Sequence, residues 1–264
     1  MSLVSRTTAY CRKRIAGIVC RNLAAQVPGV PIISFTFDDF PRSALKVGGS
    51  LLSEQGVRAT YYASMGLMGK RSALGEMYDC EDLLSLVEQK HELACHTFNH
   101  LDCLRATTME IQQECSWNRQ AVADLLKGYQ LRNFSFPSGA VSCTAKSVVG
   151  PIYDSCRTVE WGINGNPVDL RFLRANPLYS VISISKAQRL IDENIRRTGW
   201  LIFYTHDVSS QPSTVGCTAA YFRQVVTLAL ASGASVLTVA EAVNRFKPQK
   251  ADSCAPVELT NGHR

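Results

Sequence analysis

The chain has 264 residues, 46% of them hydrophobic, ten cysteines and a formal charge of +6. That length and apolar content bury one large core, which excludes a disordered chain and a small scaffold held by disulfides. Nor is the charge that of a nucleic-acid binder: Arg6, Arg12, Lys13, Arg14 and Arg21 supply five of the six excess charges, and no basic stripe interleaved with aromatics follows.

The basic arm, residues 1–29, reads as a helix with Ile15, Ile18, Val19 and Leu23 on one side, packed on the body of the protein. Weak contact of this arm with anionic lipid is the second reading. Arg21 interrupts its apolar piece, which is too short for a secretory core or a membrane span. The cysteines show no C-x-x-C pair and no repeated spacing, so free thiols in a reducing cytoplasm are expected. One domain over 30–246 and a polar tail over 247–264 complete the division.

Within that domain, apolar runs alternate with helical stretches, the signature of a β/α architecture. The run from Val30 to Phe35 is the first buried strand, and Thr36, Phe37, Asp38 and Asp39 leave its end. A helix over 43–55 stops at Gly56, and VRATYYA over 57–63 is the second strand. Residues 64–79, punctuated by Gly66, Gly69 and Gly75, form a loop. A helix over 80–89 leads into the strand 91–95, followed at once by His96, Thr97, Phe98, Asn99 and His100. Thr107 or Thr108 caps a long helix that ends at Gly128. Short strands are expected over 134–137 and 156–159, with a weak helix at 145–152 between them and a loop over 162–177. The apolar 178–184 reads as a strand, Ser185 caps a helix to Gly199, and WLIFYT over 200–205 is the strand before His206 and Asp207. A helix over 218–232 and a strand over 234–237 close the domain.

Polar residues able to do chemistry thus follow the strands: Asp38 and Asp39, His96 and His100, Ser138, His206 and Asp207. In barrels of parallel strands those ends share one face, which carries the active site. Adjacent carboxylates are costly without a neighbouring cation. Two histidines four apart with one carboxylate make an open site for a borderline divalent metal such as zinc. His91 begins a strand and reads as structural.

The stretches TFDD, GVRATYY, HELACHTFNH, SFPSG and LIFYTHD, in that order, resemble the polysaccharide deacetylase family, also called carbohydrate esterase family 4, of the nodulation-factor deacetylase-like fold. The resemblance implies a deformed (β/α) barrel of about seven parallel strands and metal-dependent removal of N-acetyl, sometimes O-acetyl, groups from sugars. Zinc is the expected metal, with cobalt, nickel, manganese or magnesium as other occupants. It also implies Asp38 as general base, His206 as general acid, and Asp39, His96 and His100 as metal ligands. Thr97 matches the residue that braces the histidine loop. Asp169 matches the Asp that orients the acid, the Ser138 N–H would serve the oxyanion, and Tyr204 and Trp200 would line the acetyl pocket. The third motif departs from the family's Arg-Pro-Pro-Tyr-Gly: Ser135 stands at the arginine that orients the base and Ser138 at the tyrosine.

The expected substrate is an acetylated amino sugar or a glycan precursor made inside the cell. Hydrolysis of another amide, such as a formamide or a ring C–N bond, is an alternative motivated by the altered motif. So is a carbohydrate-binding relic without activity, and so is a metal held only for stability.

Overall fold

A computed structural model describes residues 14–26 and 29–248. Its strands, in chain order, are β1 (Leu23–Gln26), β2 (Ile32–Asp38), β3 (Thr60–Ala63), β4 (Arg71–Ser72), β5 (Gly75–Glu76), β6 (Glu92–Cys95), β7 (Asn133–Ser135), β8 (Ser155–Arg157), β9 (Val168–Asp169), β10 (Asn176–Pro177), β11 (Trp200–Thr205), β12 (Ser235–Val236) and β13 (Phe246–Pro248). The helices are α1 (Ser50–Ser53), entered from a π-helical stretch Ala44–Gly49, then α2 (Cys80–Glu88), α3 (Thr108–Leu125), α4 (Cys143–Val149), α5 (Ile184–Arg197), α6 (Ala219–Ala231) and α7 (Val239–Val243).

Seven strands pair in parallel in the order β10-β11-β2-β3-β6-β7-β8, and β12 joins β2 at its start. Backbone hydrogen bonds from residues 173–175 to 156–160 span the remaining gap: Leu173 N to Cys156 O, Thr158 N to Leu173 O, and Ala175 N to Glu160 O. This is the deformed (β/α) barrel that the motifs imply. Every residue of β2 is buried, as a central parallel strand requires, and Phe35 and Phe37 pack with Phe203, Tyr61 and Phe222.

Several elements differ from the sequence reading, among them the expected loop 162–177, which holds β9 and β10. Residues 14–16 are helical as expected, but Leu23 begins strand β1, and Ile15 and Ile18 are exposed; residues 1–13 of the basic arm lie outside the described residues. The run 178–184 is not a strand. Pairing with β11 uses Asn176 and Pro177, and the chain then turns outward, leaving Val181 84% exposed before α5 begins at Ile184. Finally, the loop 64–79 contains the β4–β5 hairpin, and β13 pairs antiparallel with β1, which also pairs with β9.

The eight described cysteines are free thiols. Among the described residues, no helix is long and apolar enough to cross a membrane.

Candidate active site

Asp38 ends β2 with its side chain inside the barrel, only 4% exposed. The next two residues, Asp39 and Phe40, have φ of 59° and 58°. The extended alternation therefore stops at Asp38, and the two adjacent carboxylates meet different partners. Of the eight described non-glycine residues with positive φ, Asp39, Phe40, Thr97, His100 and Ser138 lie in the three loops at this end. Strained backbone collected in one place is typical of a functional site held by its surroundings.

Asp39 Oδ1 lies 3.4 Å from His100 Nε2 and 3.7 Å from His96 Nε2. One ligand atom from each of the three residues falls within 4.8 Å of the others. His96 Nδ1 contacts the Ser135 carbonyl at 2.8 Å, which fixes its proton there and turns the Nε2 lone pair toward Asp39. Asp39 Oδ1 is buried and has no hydrogen-bond partner. An orphaned buried carboxylate oxygen facing two imidazoles is unfavourable on its own, and a divalent cation removes the penalty. These residues fit a metal. Burial pushes the His96 imidazole down to about 4, against the pull of Asp38 and Asp39, so its nitrogen is a free lone pair at neutral pH.

The loop carrying the histidines is held from three sides. Thr97 Oγ1 accepts from the Leu101 N–H at 2.8 Å, closing the loop across both ligands. Glu114 of α3 accepts from the N–H groups of Phe98 and Asn99 and from the Asn99 amide, at 2.9, 2.6 and 2.8 Å. Gly66 donates to the Phe98 carbonyl, and a Cβ at Gly66 would stand 2.5 Å from Asn99 Oδ1, so only glycine permits this approach.

Asp38 does not lack a cation. Arg157, the last residue of β8, is fully buried and hydrogen-bonds through Nη2 to Asp38 Oδ1 and to Ser135 Oγ. Its Nη1 donates to the Thr158 carbonyl at 3.1 Å, and the guanidinium lies over the rings of Tyr62 and Tyr204 at 4.9 and 5.1 Å. Burial alone would raise the Asp38 carboxyl. Arg157, with His96 and His206 behind it, outweighs burial and holds Asp38 below its ordinary range. Sequence reasoning missed Arg157 and Glu114. An arginine inside the apolar strand at 156–159 was the available signal for the first; nothing local marks the second.

His206 follows β11. Its Nδ1 meets the Val215 carbonyl at 3.2 Å, which leaves Nε2 free. Asp207 holds that carbonyl's loop in place, accepting from the Ser213 N–H at 2.8 Å and from its hydroxyl. The orienting role expected of Asp169 is not present in this arrangement. Asp169 pairs instead with the buried Lys146 at 3.0 Å and accepts from the N–H groups of Asn22 and Arg171. Its partners belong to the packing of β1 and β9, not to the acid.

Tyr204 does lie at the site, beneath Arg157, with its ring 6.4 Å from that of His206. Tyr179, from the turn after β10, stands against both at 5.7 and 6.3 Å and was not singled out from sequence. Trp200 does not line the pocket. It stacks on Phe246 at 5.4 Å and donates to Ser34 Oγ at 3.0 Å, four residues down the strand from Tyr204. Positions 200 and 204 share a face of β11 but lie at different depths. Ser138 is exposed with φ of 53°, on the turn after β7. His91 accepts the Ala59 N–H at 3.0 Å, the structural role expected of it.

Beside these groups, a cleft of about 510 Å³ runs between Arg42, the β4–β5 hairpin and the loop 207–213. Neither carboxylate of the pair nor any of the three site histidines lines it.

Comparisons with known proteins agree with this fold. Residues 25–150 match the family model described as Polysaccharide deacetylase. Among solved structures, the chitin deacetylase from the fungal pathogen Colletotrichum lindemuthianum is similar at 15% identity and TM-score 0.59, over 87% of this chain and 96% of that one. The Xyl-CE4 domain of a multidomain xylanase from the hindgut metagenome of Trinervitermes trinervoides is similar at 19% identity and TM-score 0.55, over 82% and 91%. A CE4 family pseudoenzyme from Bacillus anthracis also matches, at 12% identity and TM-score 0.53, over 83% and 67%. No curated protein matches. A likeness to the polysaccharide deacetylase family is thus shown over 25–150, and the fold of these solved structures is shared over most of the chain.

Proposed function

We propose that this protein is a metal-dependent hydrolase that removes an acetyl group from an N-acetylated sugar of a glycan or glycan precursor. The observation that carries the reading is the separation of the two carboxylates: Asp38 ionised on Arg157, and Asp39 Oδ1 buried, unpartnered and facing two imidazoles. Asp39, His96 and His100 would hold the metal, and the mixed nitrogen and carboxylate donors favour zinc. A bound divalent cation supplies Lewis-acid polarisation of the acyl oxygen and acidifies water.

The chain's own groups supply the rest. Asp38, kept ionised, takes the proton of the attacking water. The Ser138 N–H donates to the acyl oxygen as it gains charge. His206, with Nδ1 committed to Val215, presents Nε2 to the leaving nitrogen and protonates it. Tyr204 and Tyr179 form the wall against which the acyl group rests.

Acetate release from an N-acetylglucosamine oligomer tests this reading. Activity should disappear on chelation and return with added zinc; turnover that persists in excess chelator rules the reading out. A binding relic would take up the oligomer and release nothing under any metal.

A further inference from the structure

We propose that Arg157 is the residue that positions the catalytic base, delivered from β8 in exchange for Ser135 on β7, an inference that rests on Asp38 being the base. The two positions are directly paired: in the parallel β7–β8 ladder, Ser135 stands opposite Arg157. Neighbouring strands lie about 4.8 Å apart, well within the length of an arginine side chain. A guanidinium launched from either position reaches the same point above β2.

The local contacts show why it comes from 157 here. Ser135 is small, and its Oγ accepts from the same Nη2 that binds Asp38, at 2.5 Å. Thus the residue standing where the family has its arginine has become a support for the arginine next door. Tyr62 and Tyr204 sandwich the guanidinium, and Thr158 O fixes Nη1. The plane of the fork is set before substrate arrives, which places one oxygen of Asp38 and leaves the other to the water. A lysine ammonium offers no plane and no fork, so it is not an equivalent.

The arrangement makes positions 135 and 157 interdependent. Space and charge admit one guanidinium and one small hydroxyl, in either order. S135R alone puts two cations against a single carboxylate, R157S alone leaves Asp38 buried without one, and the double exchange restores one of each.

The experiment measures kcat and KM for acetate release from an N-acetylglucosamine oligomer, using the full chain loaded with zinc, for R157Q, R157S, S135R and S135R/R157S. Misplacing a reacting group by about 1 Å costs about 10²-fold. R157Q and R157S should lose about that much in kcat, with KM and bound zinc little changed, and the exchanged double variant should regain about tenfold over R157S. A kcat for R157Q within about threefold of the parent, or a double variant no better than R157S, overturns the proposal. Should the variants not fold, the crystal structure of the zinc-loaded parent decides: Asp38 bound by Arg157 supports it, and Asp38 bound by any other cation overturns it. A parent that releases no acetate sinks the proposed function instead, and the crystallographic contact then judges the exchange by itself.

Discussion

Asp38 and Glu92 are both carboxylates buried in one barrel, the first at the C-terminal end of β2 and the second at the N-terminal start of β6. Glu92 is well supplied with hydrogen bonds: Thr60 Oγ1 and Ala240 N donate to Oε2, both at 2.8 Å, and Asn133 Nδ2 to Oε1 at 2.6 Å. Even so, burial raises its carboxyl above the ordinary range, and these neutral donors, with Arg132 as the weakest contributor, only reduce the rise. Asp38 meets the same burial and ends below its ordinary range, because Arg157 is charged. Complete hydrogen bonding anchors a carboxylate; a cation is what keeps it ionised for work. One end of the barrel therefore holds a helix on the sheet, and the other holds a buried carboxylate in its charged form.

Substitutions can break that contrast. The largest expected effect is at Asp38→Asn, which removes the base and leaves Asp39, His96 and His100 intact: turnover should fall about 10³-fold or more, with zinc still bound at parental stoichiometry. Near-parental activity would place the base elsewhere. Next, Thr97→Val deletes the acceptor for the Leu101 N–H and loosens the loop holding both histidines. Zinc affinity, measured by competition with a chromogenic chelator, should fall about 10- to 100-fold.

Glu92→Gln should have the smallest effect on activity, within about threefold, because position 92 supports structure at the opposite end. Its signature is in stability. A carboxyl whose folded pKa lies above its unfolded value contributes stability that is fully present below the unfolded pKa and lost as pH rises through the folded one. The parent should therefore lose melting temperature from pH 4.5 upward through this group, and the Gln variant, which does not titrate, should show a shallower decline. Parallel melting curves for the two proteins would remove the contrast drawn here.

The residues that surfaced from the sequence share one property: each leaves the end of a strand within a short recognisable run. Asp38, Asp39, His96, His100 and His206 could be read because parallel strands bring their ends to one face. Arg157 offered only a charge inside an apolar strand, because its meaning depends on register with Ser135 and on reaching a carboxylate 119 positions earlier. Asp169 shows the reverse. It has a suitable chemical type in a stretch that reads as loop, but it lies on β9 with Lys146 as its partner, and no spacing in the sequence announces that pair. The run 178–184 failed for a related reason. Apolar content is a necessary condition for a buried strand, and the neighbouring β11 had already taken Asn176 and Pro177 as its partners.

The small sheet β13-β1-β9 bears on the order in which the molecule assembles. Strand β1 pairs with residues 168–169 on one edge and 246–248 on the other. The turn before it is held by the buried ammonium of Lys146, which donates to the Ala16 and Val19 carbonyls. None of these partners has been synthesised when Leu23 to Gln26 leaves the ribosome. Contacts of such long sequence separation close late and slowly. Strand β1 must wait, unpaired, for residues far downstream: β2 can begin recruiting its neighbours from residue 60 onward, but the strand that precedes it cannot be finished until residue 248 exists.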